Sequence, residues 1–518
     1  MACPIHKIDS NITGLSYAEE VCLKQLPTIA LDAHDPVWYG LEPNSYSDFG
    51  GELSTVARAP IDPSRQNKKG TVTDLDASGG FNSDFTKTNL LRLMQGFFFA
   101  DARQVASNAP IASYLVNVIT DVTVGSYVMI AGGDVFSTDM IIYASGFSNP
   151  ANNGKKTVTA SAAGSVDVAE TLVLETPPTT ATIDFAGRTT APSTLEIQVT
   201  AGVVSLVSVG GPDWTTWPEL FPGRWIFIGG DTLATNRFAN NVGYARISSV
   251  SESTLTFDDI TWPTPVAETG TGKSIEIYSG VCIKNEKVAS LIKRRSYNIE
   301  RTLGSGVNGI QAEYLEGAVP NEFTLNIPQA DKLNADLSFV ACDNTQRSGD
   351  VGDTIKGGAR VSARGEDAYN TSSDIYRVKM HVHAATTVKP ELFGYVSEAT
   401  LTVNNNVSPN KAVGILGAFD QTAGNFEVSG SITAYFTTVA AVKAVRQNAD
   451  VGLSVIAAAR NGGFIFDIPL LGLGGGRLNV EKDAPIMVPL EPAGAENING
   501  YTMLYQVFPY LPTVAMPH

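Results

Sequence analysis

A duplicated block of sequence constrains the fold of this chain more than any other feature. Residues 61–95 resemble residues 407–447 in the order of their signals: a Pro turn, a Gly-containing turn, a strand pattern and a short helix pattern. A second block, FTLNIP at 323–328, resembles FIFDIP at 464–469. Two blocks repeated in the same order predict that one supersecondary unit has been used twice.

The spacing between the blocks predicts an insertion in the first copy. Only 17 positions separate Gln447 from Phe464, whereas 228 separate Gln95 from Phe323. The difference of about 210 positions is the size of a domain. The insert also repeats within itself, at 130–134 and 228–231 and again at 151–154 and 239–243. It is therefore predicted to hold two related small β modules.

These repeats predict five segments. They are an N-terminal arm (1–36), a first unit (37–104 plus 285–345), the insert (105–284), a connector (346–390) and a second unit (391–518). An insertion of this size leaves the sheet intact if both of its ends emerge at one surface site, and we expect the insert to project outward. Its deletion should then leave a chain that still assembles.

Short alternating runs predict a mainly β chain. Residues 157–160, 195–200 and 274–278 alternate polar and apolar side chains, and clusters of Gly, Asn and Asp separate such runs. This period of two is typical of antiparallel strands. Helix patterns are confined to 88–95, with Thr88 as the expected N-cap, and 439–447. The fold class is thus a duplicated β unit with one short helix each, plus an inserted β domain.

One strand pattern suggests a surface rather than a core alone. From Phe426 to Tyr435, apolar and polar residues alternate, and aligning Phe81 with Phe426 extends the pattern to the first copy. The apolar side is predicted to pack on a core, so the polar side must face water. The candidate site residues on the polar side are Asn82, Asp84, Thr86, Glu427, Ser429, Ser431 and Thr433.

The charge balance limits the kind of partner. The chain has 36 Lys and Arg against 52 Asp and Glu, a formal net charge of −16. Tight binding of nucleic acid through its phosphates requires clustered cations, so it is not expected for this chain. The net negative charge is compatible with a protein that contacts nucleic acid without binding it tightly. The N-terminal residues lack the basic head and apolar core of a signal peptide. No apolar run approaches the roughly 20 residues of a membrane helix.

Motifs for catalysis and metal binding are weak. Residues 269–274, TGTGKS, end like a phosphate-binding loop, but Ala267 replaces the first Gly of that motif, so a plain turn is predicted. The Gly-rich residues 472–476 are predicted to form a flexible loop. His381 and His383 share a strand face but have no third ligand nearby, so a half-exposed strand is predicted instead of a zinc site.

The remaining chemical signals point the same way. The four cysteines, which form no CxxC pair and are predicted to be free thiols, are Cys3, Cys22, Cys282 and Cys342. No Gly-x-Ser-x-Gly elbow anchors a hydrolase triad. The sequence therefore predicts no enzyme, no cofactor and no metal site.

Several segments resemble a known family when they are taken together. They are VWYGLEPNSYSDF at 37–49, RQNKKGT at 65–71, DLDASGGF at 74–81 and EGAVPNEFTLNIP at 316–328. They resemble the tail tube proteins of long-tailed, siphovirus-like bacteriophages. The likeness covers 14–104 and 285–345, reaches 391–518 through the internal repeat, and leaves the insert outside.

The resemblance implies a structural role in the virion tail, after synthesis in the host bacterial cytoplasm. Family members fold as a β-sandwich-like unit with a flanking helix, and six units form a ring whose inner strands join into one barrel. Stacked rings make a tube through which double-stranded DNA passes without tight binding. Because this chain has two units, the resemblance implies a homotrimer with pseudo-sixfold symmetry. The implied partners are other tail proteins (tape measure, terminator, baseplate or tip). The resemblance implies no membrane partner. A β-rich fibre or adhesin of the same particle is the alternative.

Overall fold

The computed structural model describes residues 12–517 apart from 33, 62, 64, 65, 67, 104–118, 131, 179–180, 306–308, 479 and 481. Residues 1–11 of the predicted arm, Cys3 among them, lie outside this range. The predicted mainly β class is confirmed, since strands dominate the described residues and the helices are short.

The elements follow one another in four groups. Before the insert come β1 (Gly14–Glu19), α1 (Ile29–Asp32), β2 (Val37–Leu41), β3 (Pro43–Ala57), β4 (Gly70–Asp84) and α2 (Leu91–Phe98). Next come β5 (Ile119–Val122), β6 (Ser126–Met129), β7 (Met140–Ser145), β8 (Gly154–Ala162), β9 (Ser165–Val168), β10 (Thr182–Thr189), β11 (Leu195–Thr200), β12 (Val203–Ser208), β13 (Trp225–Ile228), β14 (Gly243–Val250), β15 (Thr254–Ile260), β16 (Glu268–Thr269), β17 (Glu276–Tyr278) and β18 (Val281–Lys284). The third group is β19 (Tyr297–Ser305), β20 (Ile310–Ile327), β21 (Asn334–Ala341), β22 (Asp343–Arg347), β23 (Ala359–Val361) and β24 (Ile375–Val382). The last is β25 (Val396–Asn404), β26 (Ser408–Lys411), β27 (Ala418–Thr422), β28 (Glu427–Tyr435), α3 (Ala440–Gln447), β29 (Val451–Ala459), β30 (Gly462–Gly475), β31 (Met487–Gly494) and β32 (Leu504–Phe508).

One compact unit comprises 1–100, 292–368 and 399–430. Within it, five antiparallel strands pair in the order β3, β4, β21, β20, β25. Directly opposite residues share a face of such a sheet. Phe81, Leu337, Phe323 and Val403 form one row across the last four strands, and all are buried. One face of the sheet is therefore a core face.

Helix α2 packs on that core face. The ring centroid of Phe97 lies 5.9 Å from that of Phe323 and 5.4 Å from that of Phe339. The predicted Thr88 N-cap is wrong: Leu90 holds the N-cap position, with no side-chain bond. The Thr88 hydroxyl instead donates to Glu366 Oε1 at 2.6 Å, and its N–H donates to Oε2 at 2.7 Å.

The order of strand, helix and hairpin occurs twice. β4 precedes α2 and β28 precedes α3, and both helices have eight residues and end at a left-handed residue, Phe99 or Asn448, whose N–H bonds the last turn. The hairpins that follow later are β19–β20 and β29–β30. The second pair of repeated sequences, 323–328 and 464–469, does not occupy equivalent positions in these hairpins. Phe323 lies near the end of β20, whereas Phe464 lies near the start of β30.

The other compact unit comprises 101–291, 369–398 and 431–518. The insert contributes two apolar cores, one drawn from 119–185 and the other from 195–277. A third core combines insert residues with β29, β30 and β32. Strand β13, WIFI, serves two of these cores: Ile226 and Ile228 join the 195–277 core, whereas Trp225 and Phe227 join the shared one. Deleting the insert would expose the shared core. The remaining chain is therefore no longer expected to assemble.

The two predicted modules of the insert contain the same side-chain arrangement. Buried Asn152 donates to Val173 O at 2.7 Å and accepts from Val173 N at 2.7 Å. Buried Asn241 donates to Val266 O at 2.9 Å and accepts from Val266 N at 3.2 Å. We call each reciprocal pair an Asn clasp. Two residues beyond each Val, a glutamate accepts backbone N–H groups beside the clasp, Glu175 from 148 and 149 and Glu268 from 239 and 240.

The two compact units divide the chain at different points from the predicted segments. The predicted connector, 346–390, contains β23 and β24, and β24 pairs with β29. The predicted segments describe a duplication in sequence, whereas the compact units describe packing. The segment boundaries therefore stay a prediction.

Candidate functional site

Polar side chains cover the face of the five-stranded sheet opposite α2. In one row, Asn82, Asp336, Thr324 and Thr402 lie opposite one another across β4, β21, β20 and β25. The neighbouring rows are Asp84, Asn334, Asn326 and Thr400, and then Ser338, Glu322 and Asn404. All of them are half-buried or exposed. We call these residues the polar ladder.

Hydrogen bonds between side chains connect the polar ladder across the strands. Asn82 Nδ2 donates to Asn334 Oδ1 at 3.0 Å and to Asp336 Oδ1 at 2.7 Å. From the other side, Asn326 Nδ2 donates to the same two residues at 2.9 and 2.7 Å. Thr324 and Thr402 hydroxyls lie 3.0 Å apart. Because the amides and carboxylates satisfy one another, they form an ordered surface that is neutral to acidic.

Strand β28 carries the second predicted set and shows the expected alternation. Glu427, Ser429 and Ser431 are exposed and Thr433 is half-buried, whereas Val428, Ile432 and Ala434 are buried. Thr433 Oγ1 lies 3.4 Å from Glu398 Oε1 of β25. The four candidates of the second copy therefore lie on one solvent-facing side of one strand.

The first predicted set is only partly brought together. Asn82 and Asp84 belong to the polar ladder, and Asn44 Nδ2 donates to Asn82 Oδ1 at 3.0 Å. Thr86 lies beyond the end of β4, is only 5% exposed, and is not part of the ladder. The strand ends two residues earlier than the alternation requires, and the chain there turns toward α2.

Cations are absent from the strands that carry these faces. β3, β4, β20, β21, β25, β28, β30 and β31 contain no Lys or Arg, and each contains at least one Asp or Glu. Lys332, in the turn between β20 and β21, has its Nζ 2.7 Å from Asp84 Oδ2, and Lys411 pairs with Asp74 and Asp76 of β4. Because both lysines are paired with carboxylates of β4, they do not make a basic surface.

A family model described as phage tail tube protein matches residues 10–493. The chain belongs to the phage tail tube protein family. A search of curated proteins finds no match. Family membership confirms the resemblance, gives the chain a structural role in a phage tail, and favours the tube over the fibre or adhesin alternative. The match also spans the insert, which the resemblance had left outside.

Several ladder residues of this tail tube protein were missed by the sequence reasoning. Asn326, Asn334 and Asp336 take part in the hydrogen bonds that connect the ladder across β4, β21 and β20. Their signal was available, since 323–327 and 334–341 alternate in the same way as 81–85. What the alternation could not supply was which strands lie side by side.

The compact unit that contains the insert holds a buried charge cluster. Arg246 bonds Asp258 at 2.8 Å and Asp467 at 3.1 Å, and Arg377 bonds Asp259 at 2.9 Å. Burial raises the pKa of Asp467 to about 6, against the pull of Arg246. Burial alone would raise the pKa of Asp259, but Arg377 and the other cations around it hold that pKa well below its usual range.

His381 lies beside this cluster, with Nδ1 3.9 Å from Asp259 Oδ2. The predicted half-exposed strand is wrong here, because His381 is fully buried and neither ring nitrogen has a hydrogen-bond partner among the described residues. Burial lowers its pKa, so the ring is neutral. The His383 ring stacks on it, 6.0 Å between centroids, and bonds Pro469 O at 2.7 Å.

Other predicted features also have clear positions. In the described part of the chain, no group of three or more His, Cys, Asp or Glu could hold a metal ion. None of the described helices is long and apolar enough to cross a membrane. Residues 269–274 include the predicted turn. The flexible loop predicted at 472–476 is wrong, because 472–475 pair with β31 as the end of β30.

Proposed function

We propose that this chain forms rings that stack into the phage tail tube, and that the polar ladder and the exposed side of β28 line its channel. The main observation behind this proposal is that one face of the sheet is polar and formed by strands without Lys or Arg, while the opposite face is apolar and covered by α2. Double-stranded DNA would pass over the polar face during ejection into the host.

Electrostatics explains why such a lining suits DNA passage. Each Lys or Arg that contacts a phosphate releases counterions and adds binding free energy, so a basic lining would hold the DNA. Asn, Thr and Ser side chains offer water-like hydrogen bonds, and scattered carboxylates repel the phosphates. A surface whose polar groups already bond one another gains little by binding a passing ligand. The DNA therefore slides.

The duplication supports a ring of three chains. A family ring has six units, and this chain supplies two of them in its predicted segments. Closed rings remove exposed strand edges, which are otherwise templates for aggregation. A homotrimer would complete the barrel with pseudo-sixfold symmetry.

Exposed apolar residues on one hairpin support stacking between rings. The distal parts of β3 and β4 are exposed, and they carry Leu53 at 53% exposure, Val56 at 63% and Val72 at 45%. Apolar side chains grouped on an extended hairpin are typical of an interaction surface. The other tail proteins implied by the family are expected at the two ends of the tube.

Lysine substitution on β28 tests the lining. Particles carrying Glu427→Lys and Ser429→Lys should build tails of normal length and eject DNA more slowly, and the difference should shrink at high salt because salt screens phosphate contacts. Ser253→Lys, on an exposed turn of the insert, is the matched control and should eject at the normal rate. Equal ejection rates for all particles at low salt would contradict the lining.

A further inference from the structure

The joint between the two duplicated units lies within this chain. β25, the first strand of the second unit, adds to the edge of β20, with Glu322 opposite Asn404 and Thr324 opposite Thr402. Side chains reinforce it, since Asn404 Nδ2 donates to Glu322 Oε2 at 3.0 Å. One unit is thus extended by the leading strand of the next.

β25 corresponds to β3 in the duplicated order. β3 pairs with β4, the strand that precedes α2. β25 lies beside β28, the strand that precedes α3, because Tyr435 N donates to Tyr395 O at 3.0 Å at the start of β25. Each is therefore the strand that leads its own unit.

β30 corresponds to β20 by the same comparison. Each is the second strand of a hairpin, with β29 and β19 respectively, and each then pairs with the next strand, β31 or β21. The end of β20 that receives β25 is 322–327. Its counterpart is the end of β30, 472–475.

Both counterpart edges lack the corresponding partner within the chain. Residues 472–475 pair with β31 on one side, and the registers of the described strands give them no equivalent of β25 on the other. The registers of β3 in the described residues are with β4 alone. Open strand edges of this kind are templates for pairing with another chain.

We propose that the 472–475 edge of one chain pairs antiparallel with residues 43–47 of β3 in a second copy, repeating the β20–β25 joint between chains. This inference rests on the proposed ring. The contact is head-to-tail, since different surfaces of the two copies meet, and such a contact closes into a ring when its rotation permits. With two units per chain and six per ring, it closes after three chains.

The glycines of β30 make the proposed seam between chains differ from the joint within the chain. Where the joint within the chain has Glu322 and Thr324, the edge between chains presents Gly472 and Gly474, so main-chain hydrogen bonds carry the seam. A Cβ at Gly472 would meet no atom within 4 Å, and one at Gly474 would meet the flexible Glu491 carboxylate at 3.3 Å. Cysteine is therefore accommodated at both positions.

Cysteine pairs test the seam. Either Ser45→Cys or Ser47→Cys is combined with either Gly472→Cys or Gly474→Cys, assembled, oxidised mildly and separated on non-reducing gels. At least one combination should give covalent ladders that end at three chains, and single variants should give none. Thr324→Cys with Thr402→Cys is the matched control, since it bridges the joint within one chain and should leave single chains.

The outcomes separate this inference from the proposed function. The seam would be overturned if normal tubes form and the control pair of cysteines oxidises, but none of the four combinations cross-links. Closure at three chains would be overturned by a ladder of covalent products that runs to six chains. Absence of tubes from the unsubstituted chain would instead overturn the proposed function. Hydrogen exchange of that chain adds a readout without substitutions: residues 44–47 and 472–475 should gain protection on assembly, and unchanged exchange contradicts the seam.

Discussion

Asn152 and Asn241, one in each predicted module of the insert, make the same contact: each exchanges a reciprocal pair of hydrogen bonds with the backbone of one valine. The first binds Val173 and the second Val266. A buried amide that satisfies both backbone groups of a distant residue pins one loop to another. The shared device supports the prediction, made from the short repeats at 151–154 and 239–243, that the modules are related.

The clasps should matter for stability. Asn152→Ala and Asn241→Ala should each lower the free energy of unfolding by about 1–3 kcal/mol, because a buried partner is lost and the valine backbone groups are left without their bonds. Urea unfolding would measure both. Asn240→Ala removes the exposed neighbour of Asn241 and should change stability little; an equal loss there would contradict the assignment to the clasp.

Asp467 should make stability depend on pH. Its folded pKa of about 6 lies above the ordinary value of 3.8, so the fold favours the protonated acid. The stabilisation is fully present below about pH 4 and is lost as the pH rises through about 6. Relative to Asp467→Asn, the wild-type free energy of unfolding should therefore fall by up to about 3 kcal/mol between pH 4 and pH 7. Parallel pH profiles for the two proteins would contradict this.

The shared core should couple the insert to β32. Trp225→Ala should destabilise by about 3–5 kcal/mol and should also increase hydrogen exchange in β32, because the Trp225 side chain belongs to the same apolar core as Leu504 and Phe508 of that strand. Trp262→Ala is the matched control, since Trp262 belongs to the core made by the insert alone. If both variants leave β32 equally protected, the coupling is absent.

The exposed hairpin should affect tube length rather than ring formation. Leu53→Ser with Val56→Ser removes apolar area that the proposed stacking would bury, so rings should persist while long tubes become rare. Electron microscopy of the purified protein would count both. Ser54→Ala with Thr55→Ser alters exposed polar neighbours on the same hairpin and should leave tubes intact. Tubes of normal length from the Leu53 and Val56 variant would exclude this surface from stacking.

Much of the candidate surface could be read from local pattern. The alternation from Phe426 to Tyr435 assigned Glu427, Ser429, Ser431 and Thr433 to the solvent side of one strand, and the structure places them there. This works because side chains of a strand alternate between its two faces whatever the neighbours are. The duplication and the lack of cations in these strands are likewise properties of the sequence.

Contacts between residues far apart in the sequence determined the features that the local pattern did not predict. Thr86 leaves the polar face because the strand ends early, and Thr88 bonds Glu366, 278 positions away, instead of capping α2. His381 is buried rather than half-exposed because the insert's Asp259 and the neighbouring strands enclose it. Alternation specifies which side chains share a face, but not which other segment covers that face. That choice depends on packing between residues hundreds of positions apart, and no local pattern encodes it.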